Sequence, residues 1–205
     1  MSLNKLQLVN LALAKLGESP LQSLSDNRPA GRAIDVCYEP AKQGVLSLGP
    51  WPWAVKKTAL TQVAGHDVDG WEYAYAIPSD CVRPMSAAEP GAYEANLANP
   101  SALDQWERIG DYIYSDLDEL VLRYVADVGV EAFPADVANM FSIRLAADIA
   151  TCLSRDMNTA AALDNRFNAE AQLVLNRALK SDRRYRDDGG SYLRARSGYT
   201  TEAEE

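Results

Sequence analysis

The chain has 205 residues, of which 47% are hydrophobic and 24% are charged, and its net charge is −9. This length suits one domain, or one domain with an inserted subdomain, and enough residues are hydrophobic to form a core. The charge excludes a protein that wraps nucleic acid in a basic surface, because such proteins carry an excess of lysine and arginine.

The negative charge is concentrated in the middle of the chain. Residues 71–140 contain three arginines and thirteen carboxylates, a net charge of −10, whereas the parts on either side are close to neutral. Such an acidic surface can simply keep a protein soluble. It can also line a conduit for DNA, because repulsion of phosphates keeps a sliding duplex from adhering. Composition leaves both interpretations open.

The three cysteines, Cys37, Cys81 and Cys152, are widely spaced and fit no zinc-binding pattern. We therefore expect free thiols in a reducing compartment, with no metal and no cofactor. The first ten residues lack the basic and apolar regions of a signal peptide. No apolar run approaches the ~18 residues that span a membrane, so we expect synthesis in a cytoplasm and no membrane partner.

The N-terminal part is predicted to form two helices. Leucine and valine at helical spacing predict the first over residues 3–16, with Ser2 as its cap and Gly17 at its end. The second has Pro29 in its first turn and contains Pro40, which removes one backbone hydrogen bond, so we expect a kink or a break near residues 38–39. Three residues can cap this second helix: Ser25, Asp26 or Asn27.

A Trp51-Pro52-Trp53 corner follows the second helix. It closes a helical pattern and opens an alternating one, so it joins two kinds of structure. Buried indoles can plug the core between a helical bundle and a sheet, and exposed indoles can anchor a contact between subunits. For Trp51 and Trp53 both interpretations stay open.

Alternating patterns over residues 51–133 predict a small antiparallel β subdomain inserted between helices. Gly110 is placed for a hairpin turn, and residues 86–101, rich in Ala, Pro, Gly and Asn, are predicted to form an exposed loop. The expected strands lie within residues 54–63, 71–77, 81–85, 105–109, 111–115 and 119–126.

Helical spacing returns after Pro134, and a last helix is predicted to begin at Asn158 or Thr159. Their short connection predicts that these two helices are antiparallel. Residues 1–50 and 134–180 are thus expected to form a bundle of about four helices. The predicted fold class is α+β.

Residues 181–205 fit no packed element, because they mix charge, glycine and tyrosine. Apolar residues between arginines are typical of an extended arm that becomes ordered on a partner, although a disordered tail has a similar pattern. The candidate contact residues in this C-terminal arm are Arg183, Arg184, Arg186, Tyr192, Leu193, Arg194, Arg196 and Tyr199.

Few residues offer catalytic chemistry. The lone His66 lies in a predicted turn without a nucleophile motif. Asp116, Asp118 and Glu119 follow a predicted strand and fit a polar hairpin end, a channel-lining surface or a site for Mg²⁺ or acid–base work. Because no phosphate-binding loop is present either, the sequence does not support a nucleotide enzyme.

Three motifs in this order carry a resemblance to a known family. The first is Ala12-Leu13-Ala14-Lys15-Leu16-Gly17, the second lies in GPWPWAVKKTAL at residues 49–60, and the third is WEYAYAIPSDCVRP at residues 71–84. Together they resemble the tail tubular protein A family, the head-to-tail adaptor (connector) proteins of short-tailed bacteriophages. An ending typical of the family is matched in part by residues 192–196.

The resemblance implies a structural virion protein with no reaction to catalyse. Family members form a ring of twelve copies between the portal protein and the tail nozzle, and this ring extends the channel for passing double-stranded DNA. It implies a protein of the virion tail, assembled in the host cytoplasm. Trp51, Trp53 and the C-terminal arm would then contact subunits or portal, and Asp116, Asp118 and Glu119 would line the channel. One alternative is a tail-associated cell-wall hydrolase that uses Asp116 and Glu119 as an acidic pair, and another is a soluble adaptor for a non-viral partner.

Overall fold

The computed structural model describes residues 3–65, 70–91, 106–153 and 157–181. His66, most of the predicted loop 86–101 and the C-terminal arm from residue 182 lie outside the described residues. The helices and strands are α1 (Lys5–Lys15), α2 (Pro29–Ser47), β1 (Val55–Ala59), β2 (Tyr73–Ala76), β3 (Cys81–Ala88), β4 (Glu107–Ile109), β5 (Tyr112–Ser115), β6 (Val121–Ala126), α3 (Ala135–Cys152) and α4 (Met157–Ser181). The predicted α+β fold with about four helices is confirmed.

Helix α3 is the centre of the bundle and packs against α1, α2 and α4. Most of its residues are buried, and its alanines at positions 138, 146, 147 and 150 let neighbouring helices approach closely. Asn139 hydrogen-bonds Glu170 and Arg144 contacts Asp164 on α4. As the residue number rises on α3 it falls on α4, so the two helices are antiparallel, as predicted.

The ends of α1 follow from two local signals. Asn4 is the N-cap, because its Oδ1 accepts from the backbone N–H of Gln7 at 2.8 Å and the Gln7 side chain accepts from Asn4 N at 3.0 Å. This reciprocal capping box displaces the predicted cap at Ser2, which was wrong. Gly17 ends the helix in the left-handed region, with φ of 70°, as its position predicted.

Helix α2 begins with Pro29 at its first turn, but its N-cap is Arg28, which makes no side-chain capping bond. Asp26 instead accepts from the Arg28 N–H at 3.0 Å and pairs with the Arg28 guanidinium. The break expected near residues 38–39 does not occur, since the helix continues through Pro40 to Ser47. Burial of the adjacent face against α3 compensates for the hydrogen bond that proline removes.

The inserted β region divides into two antiparallel sheets, each with three strands in the described part of the chain. Their orders are β1-β6-β3 and β2-β5-β4, where the sequence predicted one subdomain without this division. β3 runs through Ala88, so the first part of the predicted loop 86–101 is strand. The reason is that Ala87 and Ala88 are small enough to pack in the core opposite β6. The hairpin at Gly110 forms as predicted.

The first sheet attaches the β region to the bundle. Ala126 at the end of β6 donates to the carbonyl of Ala54, just before β1, at 2.8 Å. Val125 belongs to the same hydrophobic core as the buried faces of the helices. Lys42 of α2 pairs with Asp127 at 2.9 Å. The entry and exit of the insert are therefore held together beside the end of α2.

Candidate functional site

The tryptophan corner lies where the bundle meets the first sheet. Trp51 is 0% exposed. Its indole Nε1 donates to the carbonyl of Val45, in the last turn of α2, at 2.9 Å. Complete burial of an indole ring whose N–H donates a hydrogen bond stabilises the core. Trp51 therefore has the core position, and in this conformation it offers no surface to another subunit.

Trp53 continues the aromatic contacts towards the surface. Its ring centroid is 5.8 Å from that of Trp51 and 5.0 Å from that of Phe133. Phe133 in turn makes an edge contact with Phe141 of α3, at 5.8 Å. Trp53 is only partly buried, so it retains area for a contact with another molecule.

A pocket of about 300 Å³ adjoins this corner, between Trp53 and helix α4. We call it the corner groove. Its wall is mostly apolar, with Asp136 and Arg177 as the charged residues. Its other lining residues are Trp51, Pro52, Pro134, Val137, Val174 and Ala178.

A larger pocket of about 530 Å³ lies on the bundle between α2, α3 and α4, and we call it the bundle groove. Val36, which is 69% exposed, and Leu48, which is 39% exposed, lie on its α2 side. Cys37, Pro40 and Phe167 complete its apolar wall. Exposed aliphatic side chains beside an apolar groove are typical of a contact surface for another protein.

The charged end of the bundle groove is a small ionic cluster. Arg144 pairs with Asp148 at 2.8 Å and with Asp164 at 3.3 Å, and its guanidinium lies 5.7 Å from the Phe167 ring. Burial raises the pKa of Asp148, while the charge of Arg144 opposes that rise. The i, i+4 spacing of Arg144 and Asp148 on a helix favours such an ion pair. The pair was not predicted from the sequence, although this spacing is visible there.

The acidic residues singled out from the sequence lie together at the turn between β5 and β6. Asp116, Asp118 and Glu119 are exposed, as is Glu72, and we call these four the acidic rim. Asp116 Oδ1 accepts from the Glu72 N–H at 3.0 Å. This hydrogen bond thus joins the residue immediately before β2 to this turn.

Gln62 and Tyr75 fix the backbone of the acidic rim through hydrogen bonds. Gln62 Nε2 donates to the carbonyl of Asp118 at 2.6 Å and to its carboxylate at 3.1 Å. The Tyr75 hydroxyl donates to the carbonyls of Leu117 and Asp118. The rim is thus a defined turn that presents carboxylates to solvent.

The rim does not have the features of a metal or acid–base site. A general acid among carboxylates usually sits in a desolvated pocket, whereas these groups are exposed. Asp118, Glu119, Glu89 and Pro90 line only an open depression of about 330 Å³. Across residues 3–65, 70–91, 106–153 and 157–181, no group of three or more His, Cys, Asp or Glu is placed to hold a metal ion.

Asp80, in the third motif, has a structural role. Asp80 accepts from Lys56 Nζ at 2.7 Å and from the Tyr124 hydroxyl at 2.9 Å. The hydrogen bond from Lys56 holds the pKa of Asp80 below its usual value, with Tyr124 adding to the effect and desolvation opposing it. Asp80 thereby connects β1, β6 and the turn before β3, a linkage that the sequence did not reveal.

The remaining predicted contact residues, in the C-terminal arm, lie outside the described residues, as does His66. Comparison of the chain with models of known protein families found no match, and comparison with curated protein sequences found none. Among the helices that the structure describes, none combines the length and the apolar character needed to cross a bilayer.

Proposed function

We propose that the protein is a structural subunit of a bacteriophage tail, in a ring that joins the portal to the tail nozzle and extends the DNA channel. The proposal includes a ring of about twelve copies, assembly in the host cytoplasm and a final location in the virion tail. It starts from the three ordered motifs and from the fold, a helical bundle with an inserted β region.

The observation that carries the proposal is the presence of two chemically different surfaces on two parts of the fold. The bundle presents the apolar bundle groove, with exposed Val36 and Leu48. The inserted β region presents the acidic rim. A ring around DNA needs both kinds of surface, because its subunits must adhere to one another while its inner wall must not adhere to phosphate.

The subunit contacts are assigned to the bundle side. Subunits in a closed ring contact one another through two different patches, and an apolar groove provides one of them. Trp53 at the corner groove and the arginines and tyrosines of the C-terminal arm are proposed to contact a neighbouring subunit or the portal. Arginine suits such contacts because its planar guanidinium binds carboxylates with two parallel hydrogen bonds.

Assembly on the portal protein of the same phage tests the proposal. The full chain and the portal are co-expressed, and the product is measured by light scattering and electron microscopy. The expected product is a closed ring stacked on the portal. Absence of any portal complex with the folded full-length chain, or a map that places the chain away from the channel axis, would refute the proposal.

Matched variants locate the subunit contact. Val36→Asp puts a charge on the exposed wall of the bundle groove and is expected to block ring formation while the monomer keeps its circular dichroism spectrum. Asp35→Asn changes an exposed neighbour on the same helix and is expected to leave assembly intact. Equal assembly by both variants would show that this groove is not a subunit contact.

The acidic rim is tested by neutralisation. The combined Asp116→Asn, Asp118→Asn and Glu119→Gln variant keeps hydrogen-bond acceptors at each position and removes three negative charges per subunit. Rings are expected to assemble normally but to release DNA several-fold more slowly, because phosphate repulsion is weakened. The Asp35→Asn ring is the control. If the triple variant released DNA at the same rate as the control, the acidic rim would not line the channel.

The hydrolase alternative has weaker support, because Asp116 and Glu119 are exposed and Asp116 holds the backbone of Glu72. Turnover of purified peptidoglycan by the parent chain, lost in an Asp116→Asn, Glu119→Gln variant, would favour it. No turnover by the parent would exclude it.

A further inference from the structure

Two of the three cysteines meet in the bundle groove. Cys37 lies in α2 and Cys152 is the last residue of α3, and their sulfur atoms are 3.0 Å apart although 115 positions separate them in sequence. Both are free thiols. A disulfide bond has a sulfur–sulfur distance of about 2.05 Å, so closure needs a further approach of only about 1 Å.

The geometry points to a redox modification site in which Cys37 and Cys152 close to an intramolecular disulfide. The two residues differ in access: Cys152 is exposed at the groove, whereas Cys37 is 7% exposed beneath it. An oxidant therefore reaches Cys152 first, and Cys37 is the resolving thiol. The inference does not require the function proposed above, but the site shares the bundle groove with the proposed subunit contact, so the free chain is the form to test.

The reaction balances with a small-molecule disulfide, such as oxidised glutathione, as the oxidant. The Cys152 thiolate attacks one sulfur of that disulfide, whose S–S bond breaks and releases the first small thiol. The Cys37 thiolate then attacks the Cys152 sulfur of the mixed disulfide and releases the second. The protein loses two protons and two electrons, and the oxidant is reduced to two thiols.

The surroundings of Cys37 slow the closure of the pair at neutral pH. Burial raises the pKa of Cys37 to about 12, with further contributions from the hydrogen bond to Cys152 and the charge of Asp148. Arg144 lines the same groove and forms one ionic cluster with Asp148 and Asp164. Because the thiolate is the attacking species, the second step is slow at neutral pH.

The disulfide would connect two walls of the bundle groove. It would tie α2 to the C-terminal end of the central helix and close a long loop of chain that includes the whole β region. Cross-links that close long loops restrict the unfolded chain most. We therefore expect the oxidised protein to have a melting temperature about 5–10 °C above that of the reduced protein.

The test equilibrates the reduced full chain with glutathione buffers of increasing oxidised fraction. Free thiols are titrated, the linkage is mapped by peptide mass spectrometry, and the melting temperature is followed by circular dichroism. The expected result is a fall from the three thiols of the chain to one, with the bond between Cys37 and Cys152. The melting temperature should rise in parallel.

Two variants serve as controls. Cys81→Ser removes the thiol at the start of β3 and should leave both the bond and the melting shift unchanged. Cys152→Ser changes an exposed position, so the fold should persist while the internal bond and the melting shift disappear. A Cys37 variant is not required, which avoids a substitution in the core.

Three results would overturn the inference. One is a folded protein that keeps all its thiols in excess oxidised glutathione. Another is a bond that involves Cys81 or joins two copies of the chain. The third is a Cys152→Ser variant with the same melting shift as the parent.

Discussion

The indole N–H of Trp51 donates to the carbonyl of Val45 across 2.9 Å, and this bond fixes the turn that follows α2 to the helix itself. The partner carbonyl lies in the last turn of α2 and also accepts from the backbone N–H of Leu48 at 3.3 Å, so Trp51 adds a second donor at this helix end. Trp51 thus fills the space between bundle and sheet and ties the following turn to the end of the helix.

This arrangement predicts unequal costs for the two tryptophans. Trp51→Ala should lower the free energy of unfolding by about 3–5 kcal/mol, because it creates a cavity in the core and removes one of the two hydrogen bonds to the Val45 carbonyl. Trp53→Ala should cost less, about 1–2 kcal/mol, since Trp53 is only partly buried. Urea unfolding of both variants measures the difference. Equal costs would contradict the assignment of Trp51 as the core residue.

Lys42 is predicted to stabilise the attachment of the β region. Its side chain is 11% exposed and pairs with Glu39 and Asp127, each at 2.9 Å. Lys42→Met should lower the free energy of unfolding by about 1–2 kcal/mol, because it leaves Asp127 without its cation.

A double-mutant cycle with Asp127→Asn isolates the Lys42–Asp127 interaction from other effects of each change. A coupling energy well above that of a surface ion pair is expected. Lys56 and Asp80, whose side chains are 50% and 35% exposed, provide the surface comparison. If both pairs gave the same coupling, Lys42 would have no special role at the junction.

Alkaline pH should destabilise the bundle through Cys37 and Tyr38. Burial raises both pKa values, that of Cys37 to about 12, so the folded state retains protons that the unfolded state releases. The free energy of unfolding should therefore fall above about pH 8.5, the ordinary thiol pKa, and more steeply above about pH 10, the ordinary tyrosine pKa.

Tyr38→Phe separates the two contributions. The variant retains the edge contact of the ring with Phe141, at 5.6 Å between centroids, so its stability at pH 7 should be close to that of the parent. Above pH 10 its free energy of unfolding should fall less steeply with pH. Identical pH profiles from urea titrations of the two proteins would show that the tyrosine hydroxyl does not contribute.

Two glycines should respond to alanine with opposite signs. Gly17 has a φ of 70°, which strains any residue with a Cβ, so Gly17→Ala should cost about 1–2 kcal/mol. Gly44 lies inside α2, and a Cβ added there meets no atom within 4 Å. Gly44→Ala should therefore stabilise by about 0.5–1 kcal/mol. Thermal melting of the pair gives both signs in one experiment, and a loss of stability in Gly44→Ala would contradict the described helix.

The sequence was sufficient for the helices, because apolar spacing and end signals such as Gly17 and Pro29 are local. It also contained the signal for the cap of α1, since Asn4 followed three residues later by Gln7 is a capping pattern, but Ser2 was predicted instead. It did not separate the two sheets, because the order of strands depends on pairing between distant segments such as β1 and β6. Of the two expectations for Pro40, a kink or a break, the break does not occur, because tertiary packing holds α2 together.

The candidate surfaces also differ in how far local sequence predicts them. Composition located the acid excess, and the position of Asp116 and Asp118 after a strand placed them at a turn. The bundle groove and the contact of Cys37 with Cys152 were not visible, since they arise where three helices meet. No local pattern encodes a contact between residues 115 positions apart.

The bond from Ala126 to Ala54 brings the two ends of the insert side by side. A segment whose ends meet can be lengthened, shortened or exchanged without moving the structure from which it emerges. The second sheet can therefore vary while the helices stay as they are. The β region of this protein is, in that sense, a replaceable module on a fixed helical base, and its acidic rim can be changed without redesigning the bundle.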